Sequence, residues 1–418
     1  MNNVGILSKI KEKGIKGILK SLYIRTYYML SAIIPSMHSS TARTIWKLFQ
    51  LLPINKNLIL FESEPDFCDN SWALYQYLKK ERPHCHLVWI VKNPHDFKNK
   101  KDKCTSFVTR YGNGIHLKTI YYYATAKYNF YTHCTFVPYV LRKGQTVINL
   151  CHGTVLKGYK GGGENYFDWL MTTSEFAINS QSIFVGCDAR KVLPLGSPRN
   201  DILTQNISQG IENPFCPKDD SIKKVILWMP TFRASENSTI SEKSMDTETG
   251  LPLIETVKEL EVLNTKLTGL KVVIIAKIHH LQASKVVFKK RYSNIVFVTD
   301  DQISEKGLQL YQMVGKSDAL ISDYSSIMVD YLIVNKPMGF ILDDYDKYAS
   351  SRGFTFDNLK EDILKGEHIY TKGQFLQFIM NVMEGKDIYK EERAVLKKKF
   401  HDIEDGMNCK TIVDYFKI

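Results

Sequence analysis

No two of the eight cysteines stand in a CxxC pair, so the thiols present neither a zinc-ribbon spacing nor a redox dithiol. The nearest cluster, His84-Cys85-His86, falls at the start of an apolar run that reads as a strand. Adjacent strand residues point to opposite faces and do not easily grip one ion together. Scattered cysteines without a secretory cleavage pattern predict reduced thiols in a cytoplasmic protein. The apolar run from Tyr27 to Ile34 falls well short of the ~20 residues that a bilayer-spanning helix needs. Internal repeats and low-complexity tracts are missing. So is any recognisable RNA- or DNA-binding motif, and no nucleic-acid partner is expected. No Asp-x-Asp pair follows a strand in a persuasive setting, so neither a metal site nor a required cofactor is expected.

What is present is a chain of 418 residues with 44% hydrophobic residues, enough for two domains of about 200 residues each. The net charge is +12. More than half of it lies in residues 1–50, where Lys9, Lys11, Lys13, Lys16, Lys20, Arg25, Arg43 and Lys47 face Glu12 alone. A basic segment followed by a short apolar run suits a helix lying on an anionic membrane surface. The plainer alternative is a solvated basic helix packed on the protein's own core.

From residue 57 onward, apolar runs alternate with helical spacing. Asn57–Ser63, His86–Lys92, Thr146–Cys151 and Val192–Leu195 read as strands, with helices over Ser71–Lys80 and His116–Ala126. Residues 206–221 carry Pro214, Pro217 and Asp219-Asp220 and read as a linker. The alternation then restarts with strands at Lys224–Met229, Leu270–Ile278, Asn294–Thr299, Ala319–Ser322 and Met338–Leu342. Helices are expected at Leu253–Leu267, Leu308–Lys316 and Ser325–Val334. The pattern predicts a basic segment (1–50), an N-terminal domain (51–205), the linker, a C-terminal domain (222–390) and a helical tail (391–418). Two β/α halves imply two doubly wound parallel sheets facing across a cleft, with ligands beyond the carboxyl ends of strands.

Four clusters sit at such ends. His152-Gly153-Thr154 with Lys157 follows Thr146–Cys151. Gly153 permits a tight turn, His152 can accept a proton from an alcohol, and Lys157 can neutralise a phosphate; the bland alternative is a capping histidine. Thr231 and Arg233 follow Lys224–Met229, and the guanidinium suits bidentate phosphate binding unless the loop is purely structural. Lys277 and His279 share one face of a strand end, which favours His279 over His280. Ser322-Asp323-Tyr324-Ser325-Ser326 opens the helix expected to carry Asp330. It would bind an anion on free backbone N–H groups, or simply cap the helix through Ser325.

The ordered set resembles the CDP-glycerol glycerophosphotransferase family. His152-Gly153-Thr154 with Lys157 is similar to its HGTxxK element, and Pro198-Arg199-Asn200-Asp201 to its PRND. Pro230-Thr231 with Arg233 is similar to PTxR, and Lys277-Ile278-His279 to KxHP. Ser322-Asp323-Tyr324-Ser325-Ser326 with Asp330 is similar to TDYSSxxxD. Cys151, Val155, His280 and Ser322 stand where the family pattern has tryptophan, proline, proline and threonine. The resemblance runs over roughly residues 57–385. It implies a GT-B-like fold of two Rossmann-like domains, with the donor nucleotide held mainly by the second. It implies a cytosolic enzyme, peripheral on the inner face of a bacterial membrane. The activity implied is transfer of glycerol-phosphate, or a related polyol-phosphate, from a CDP-polyol to a lipid-linked saccharide or polymer acceptor, with release of CMP. His152 and His279 would be catalytic. Arg233, Ser325, Ser326, Lys277 and Thr231 would bind donor phosphate, supported by Gly153, Thr154, Lys157, Asp323 and Asp330. Two alternatives are a GT-B glycosyltransferase using a nucleotide sugar and a non-catalytic membrane- or polymer-binding homologue.

Overall fold

The computed structural model describes residues 40–110, 116–133, 141–158, 166–209, 213–230, 247–278 and 286–418. Most of the basic segment, together with Thr231, Arg233, His279 and His280, lies outside the described residues.

Seven strands are β1 (Asn55–Glu62), β2 (His86–Val91), β3 (Thr105–Thr109), β4 (Ala126–Tyr131), β5 (Thr146–Asn149), β6 (Trp169–Met171) and β7 (Val192–Leu193). They order as β3-β2-β1-β4-β5-β6-β7. Six more are β8 (Lys224–Trp228), β9 (Val272–Lys277), β10 (Ile295–Val298), β11 (Ala319–Ser322), β12 (Met338–Ile341) and β13 (Glu367–Ile369). Their order is β10-β9-β8-β11-β12-β13, with parallel pairing throughout. Both sheets reverse their winding direction beside the first strand, next to β4 in one and β11 in the other. That reversal opens a crevice at the strand ends, the usual seat of a ligand in such sheets.

The strands form where apolar residues run without interruption. Leu58 to Phe61 and Val272 to Ala276 are buried throughout, as expected of parallel strands covered on both faces. Helix Val257–Leu270 starts later than the sequence spacing suggests. The capping box of Thr256 and Glu259 fixes its first turn, and Leu260, Leu263 and Leu267 form its buried stripe. Helix Arg199–Gln209 runs into the stretch read as linker, with Leu203 fully buried. The helix expected over Ser325–Val334 is only Ile327–Tyr331, followed by turns. Strands β3, β4, β6 and β13 were not evident from sequence pattern. Strand β4 follows helix Leu117–Thr125 directly, with no breaker residue between them.

The described residues of Met1–Glu62, Pro83–Asn129 and Thr135–Thr146 form one compact unit; those of Ser63–Arg82, Phe130–Cys134 and Val147–Ile418 form the other. In the first, Trp89 stacks on Phe61 with ring centroids 5.4 Å apart, and helix Ser40–Phe49 buries Ala42 and Trp46. In the second, Trp228 packs on Phe375 at 5.3 Å.

Candidate active site

All described candidate residues belong to the second unit. The scaffold begins at Asp69 and Asn70, which open helix Asp69–Glu81. Buried Asn70 donates from Nδ2 to the carbonyls of Leu150 (3.2 Å) and Cys151 (2.8 Å). Its Oδ1 accepts from Ser197 Oγ and from the Arg199 backbone N–H, each at 2.9 Å. One amide thus ties the exit of β5 to the turn that follows β7.

The exit of β5 carries His152. Cys151 adopts a left-handed backbone (φ 56°). Its N–H donates to Asn149 Oδ1 at 2.8 Å, and its sulfur accepts from Gln181 Nε2 at 2.7 Å. Gly153 has φ 139°, and a Cβ there would lie 2.7 Å from Ser326 Oγ and 2.9 Å from Arg199 Nη2. Only glycine lets the His152 turn approach the Ser326 turn so closely. Thr154 faces inward, its hydroxyl 2.9 Å from that of Thr173. Lys157 holds its ammonium 5.4 Å from the centre of the Tyr324 ring. Further on, Gly158 N–H donates to the Gly353 carbonyl (2.8 Å) and Thr355 N–H to the Leu156 carbonyl (2.9 Å). Arg352 Nε reaches the Gly158 carbonyl at 2.9 Å. Three clusters distant in sequence, around His152, Ser326 and Arg352, are therefore sewn together.

Arg199 is the cation between them. It is 4% exposed and pairs with Asp69 Oδ1 at 2.9 Å and Asp330 Oδ2 at 2.6 Å. Its guanidinium lies 4.5 Å from the Tyr311 ring centre, and the Tyr311 hydroxyl donates to Asp330 at 2.5 Å. Burial opposes the Arg199 charge, but Asp330 and Asp69 raise its pKa well above the usual value. Burial likewise opposes the Asp69 charge, yet Arg199, His133 and His152 together hold its pKa below the ordinary carboxylate value. Burial dominates at Tyr311, whose pKa is raised well above normal.

His152 keeps one side open to solvent while protein crowds the rest of its ring. It stacks on His133, which follows β4, with centroids 4.5 Å apart and planes 9° from parallel. Desolvation, then His133 and Arg199, push the His152 pKa down to about 4, against the opposing pull of Asp69 and the Thr132 backbone. The imidazole is therefore neutral at physiological pH and able to accept a proton.

At the end of β11, the Ser322 hydroxyl donates to the Met229 carbonyl at 2.9 Å and fastens β11 to the end of β8. Asp323 and Tyr324 are buried, while Ser325 and Ser326 are half-buried beside Gly153. The helix after them has five residues and no side-chain cap, so an anion here would rely on the turn's N–H and hydroxyl groups rather than on a long helix dipole. Lys277 ends β9 with its ammonium 2.9 Å from Asp300 Oδ2. Among the described residues, no three His, Cys, Asp or Glu side chains are grouped to hold a metal.

The structure thus brings together His152, Gly153, Thr154, Lys157, Ser325, Ser326 and Asp330. It adds Asp69, Asn70, His133 and Tyr311, which sequence pattern did not single out. It also gives Arg199, visible beforehand only within the Pro198-Arg199-Asn200-Asp201 element, a central position.

Known proteins resemble this chain in sequence and in fold. A teichoic acid glycerol-phosphate transferase of Staphylococcus aureus (strain NCTC 8325 / PS 47) is 29% identical, over 92% of this chain and 100% of that protein. A teichoic acid poly(glycerol phosphate) polymerase of Staphylococcus epidermidis is 28% identical over 86% of this chain, which spans half of that longer protein. The fold is similar to that of the wall teichoic acid polymerase TagF, with a TM-score of 0.71 and 23% identity, covering 89% of this chain and 92% of that one. The family model for CDP-glycerol:poly(glycerophosphate) glycerophosphotransferase matches residues 44–417, and the chain belongs to that family.

Proposed function

We propose that this protein transfers glycerol-phosphate, or a related polyol-phosphate, from a CDP-activated donor to an acceptor hydroxyl in the synthesis of a teichoic-acid-like or capsular polymer. The observation that carries this reading is a neutral, partly open His152 on a turn that Gly153 packs directly against Ser326. A proton acceptor then lies beside the Ser325-Ser326 hydroxyls.

In the proposed reaction the acceptor oxygen attacks the β-phosphorus of the donor. The bond from that phosphorus to the bridging oxygen breaks, and CMP leaves with the oxygen. His152 takes the acceptor's proton as the new phosphodiester forms. In this reading Ser325, Ser326 and Lys157 meet the phosphoryl charge, and Thr231, Arg233, Lys277 and His279 complete the donor site. Arg199 holds the two turns in register rather than meeting the donor, because both of its carboxylate partners are already engaged.

The acceptor is proposed to be a lipid-linked saccharide or growing polymer at the inner face of the membrane. Helix Ser40–Phe49 and the turn after it support this, with Leu48, Leu51 and Leu52 exposed next to Arg43 and Lys47. Apolar anchors flanked by cations suit an anionic lipid surface. No helix among the described residues is long and apolar enough to cross a membrane.

The test is CMP release from CDP-glycerol and from CDP-ribitol, each with a lipid-linked saccharide, in the wild type and His152→Ala. Acceptor-dependent release that is lost in the variant, with donor binding retained, supports the reading. A product joined by a glycosidic bond rather than a phosphodiester refutes it.

A further inference from the structure

Strand β4 ends at the point where the first sheet reverses its winding direction, and the residue pair presented there is Thr132-His133. We propose that His133 is a positioning residue for the transfer: its ring lies flat against His152 and fixes the plane in which His152 meets the acceptor hydroxyl. This inference rests on His152 being the base.

The geometry is specific. The His152 backbone is held through its neighbours, by the Cys151 bonds to Asn149 and Asn70 and by the contact of Gly153 with Ser326. Those restraints fix the turn, and the hydrogen bond to the Thr132 backbone holds one edge of the ring. The flat contact with His133, at 4.5 Å and 9°, sets the plane of the ring about that bond, as stacked aromatic rings do. His133 is itself anchored, with Nδ1 3.3 Å from the Thr132 hydroxyl.

The surrounding charges explain why a histidine can serve as the plate. Desolvation lowers the His133 pKa and Arg199 adds to that, while Asp69, Glu64 and Asp300 oppose. The same Asp69 and Arg199 act on His152. Two neutral imidazoles can stack without repulsion, whereas two imidazolium ions could not. The pair therefore works as a unit only above the pH at which either ring takes a proton.

The experiment uses the full chain and three variants, His133→Ala, His133→Phe and His152→Ala, with CMP release measured from CDP-glycerol and a lipid-linked saccharide. His133→Ala is expected to lower kcat about 10- to 100-fold with little change in the donor KM. His133→Phe, which keeps a flat ring, is expected to restore most of the loss. A titration of the histidine rings by NMR reads the stack without any substrate: His152 stays neutral down to about pH 4 in the wild type and titrates higher in His133→Ala. Normal kcat and an unmoved His152 titration in His133→Ala would overturn the proposal, as would a His133→Phe variant no better than His133→Ala. Normal turnover in His152→Ala removes the base assignment and this inference with it. Loss in His152→Ala alone removes only the stack. Should CDP-glycerol not be turned over, the NMR titration alone decides.

Discussion

Replacing Gly153 by alanine tests the close approach that joins the two turns. At φ 139° a non-glycine residue carries about 1–3 kcal/mol of backbone strain. The new Cβ would stand 2.7 Å from Ser326 Oγ and 2.9 Å from Arg199 Nη2, so one side must retreat by about half an ångström or more. Arg199 is poorly placed to yield, because Nη2 already holds Asp330 at 2.6 Å in a buried pair. The Ser326 turn therefore moves, and a displacement approaching 1 Å near the reacting groups costs about 100-fold in rate, or about 2.7 kcal/mol of transition-state stabilisation. Gly186→Ala is the matched control. Gly186 also has a left-handed backbone (φ 71°), but no atom lies within 4 Å of its added Cβ. It should lose about 1 kcal/mol of stability and keep its turnover. The assay is CMP release, as kcat/KM, alongside thermal unfolding of both variants. If Gly153→Ala turns over as fast as Gly186→Ala, the two turns do not need their observed contact and the site is wrongly drawn.

Removing the buried cation should be more damaging to the fold than to any single contact. Arg199→Met leaves Asp69 and Asp330 uncompensated and should cost about 3–5 kcal/mol, read as a lowered denaturant midpoint; Arg199→Met combined with Asp330→Asn should recover part of it. The depressed His152 pKa gives a pH dependence of defined sign. The unfolded chain binds a proton near the ordinary histidine pKa of about 6.5, whereas the folded chain binds it only near 4. Stability from this group is therefore complete above about pH 6.5 and falls as the pH drops toward 4; His152→Gln should flatten that part of the melting-temperature profile. Turnover that depends on neutral His152 should persist well below pH 6.5, and an acid limb at pH 6.5 would contradict the assignment. Leu48→Glu with Leu51→Glu should weaken co-sedimentation with phosphatidylglycerol vesicles and leave turnover of a water-soluble acceptor unchanged. Equal vesicle binding by that variant would remove this face from the membrane contact.

Much of this architecture could be read from the sequence because parallel strands announce themselves. Val225 to Met229 is an apolar run between Lys224 and Pro230, and Val272 to Ala276 is one between two lysines; the motif residues stand directly after such runs. Gly153 was legible for the same reason: a glycine behind a strand-end histidine implies a turn. Arg199, Asp69 and Asp330 were less so. Charged residues are exposed by default, and nothing in local spacing tells that three of them will be buried around one another. His133 was hidden by β4, whose start at Ala126 continues the preceding helix without a glycine or proline to mark the change. The helix after Ser326 reads as long because Ile327 to Val334 is apolar except for Asp330. The residues after Tyr331 turn instead, and Asn335 closes the segment in a left-handed conformation (φ 49°).

The second compact unit is drawn from three separate stretches of chain, Ser63–Arg82, Phe130–Cys134 and everything from Val147 onward. No single cut can therefore release the site intact. A fragment beginning at residue 147 would retain His152, Arg199 and Asp330 but lose Asp69, Asn70 and His133. It would carry a buried guanidinium short of one counter-ion and a β5 exit without its amide tether. For anyone building chimaeras, swapping the chain before residue 147 replaces Asp69, Asn70 and His133, and with them the floor on which the His152 turn rests.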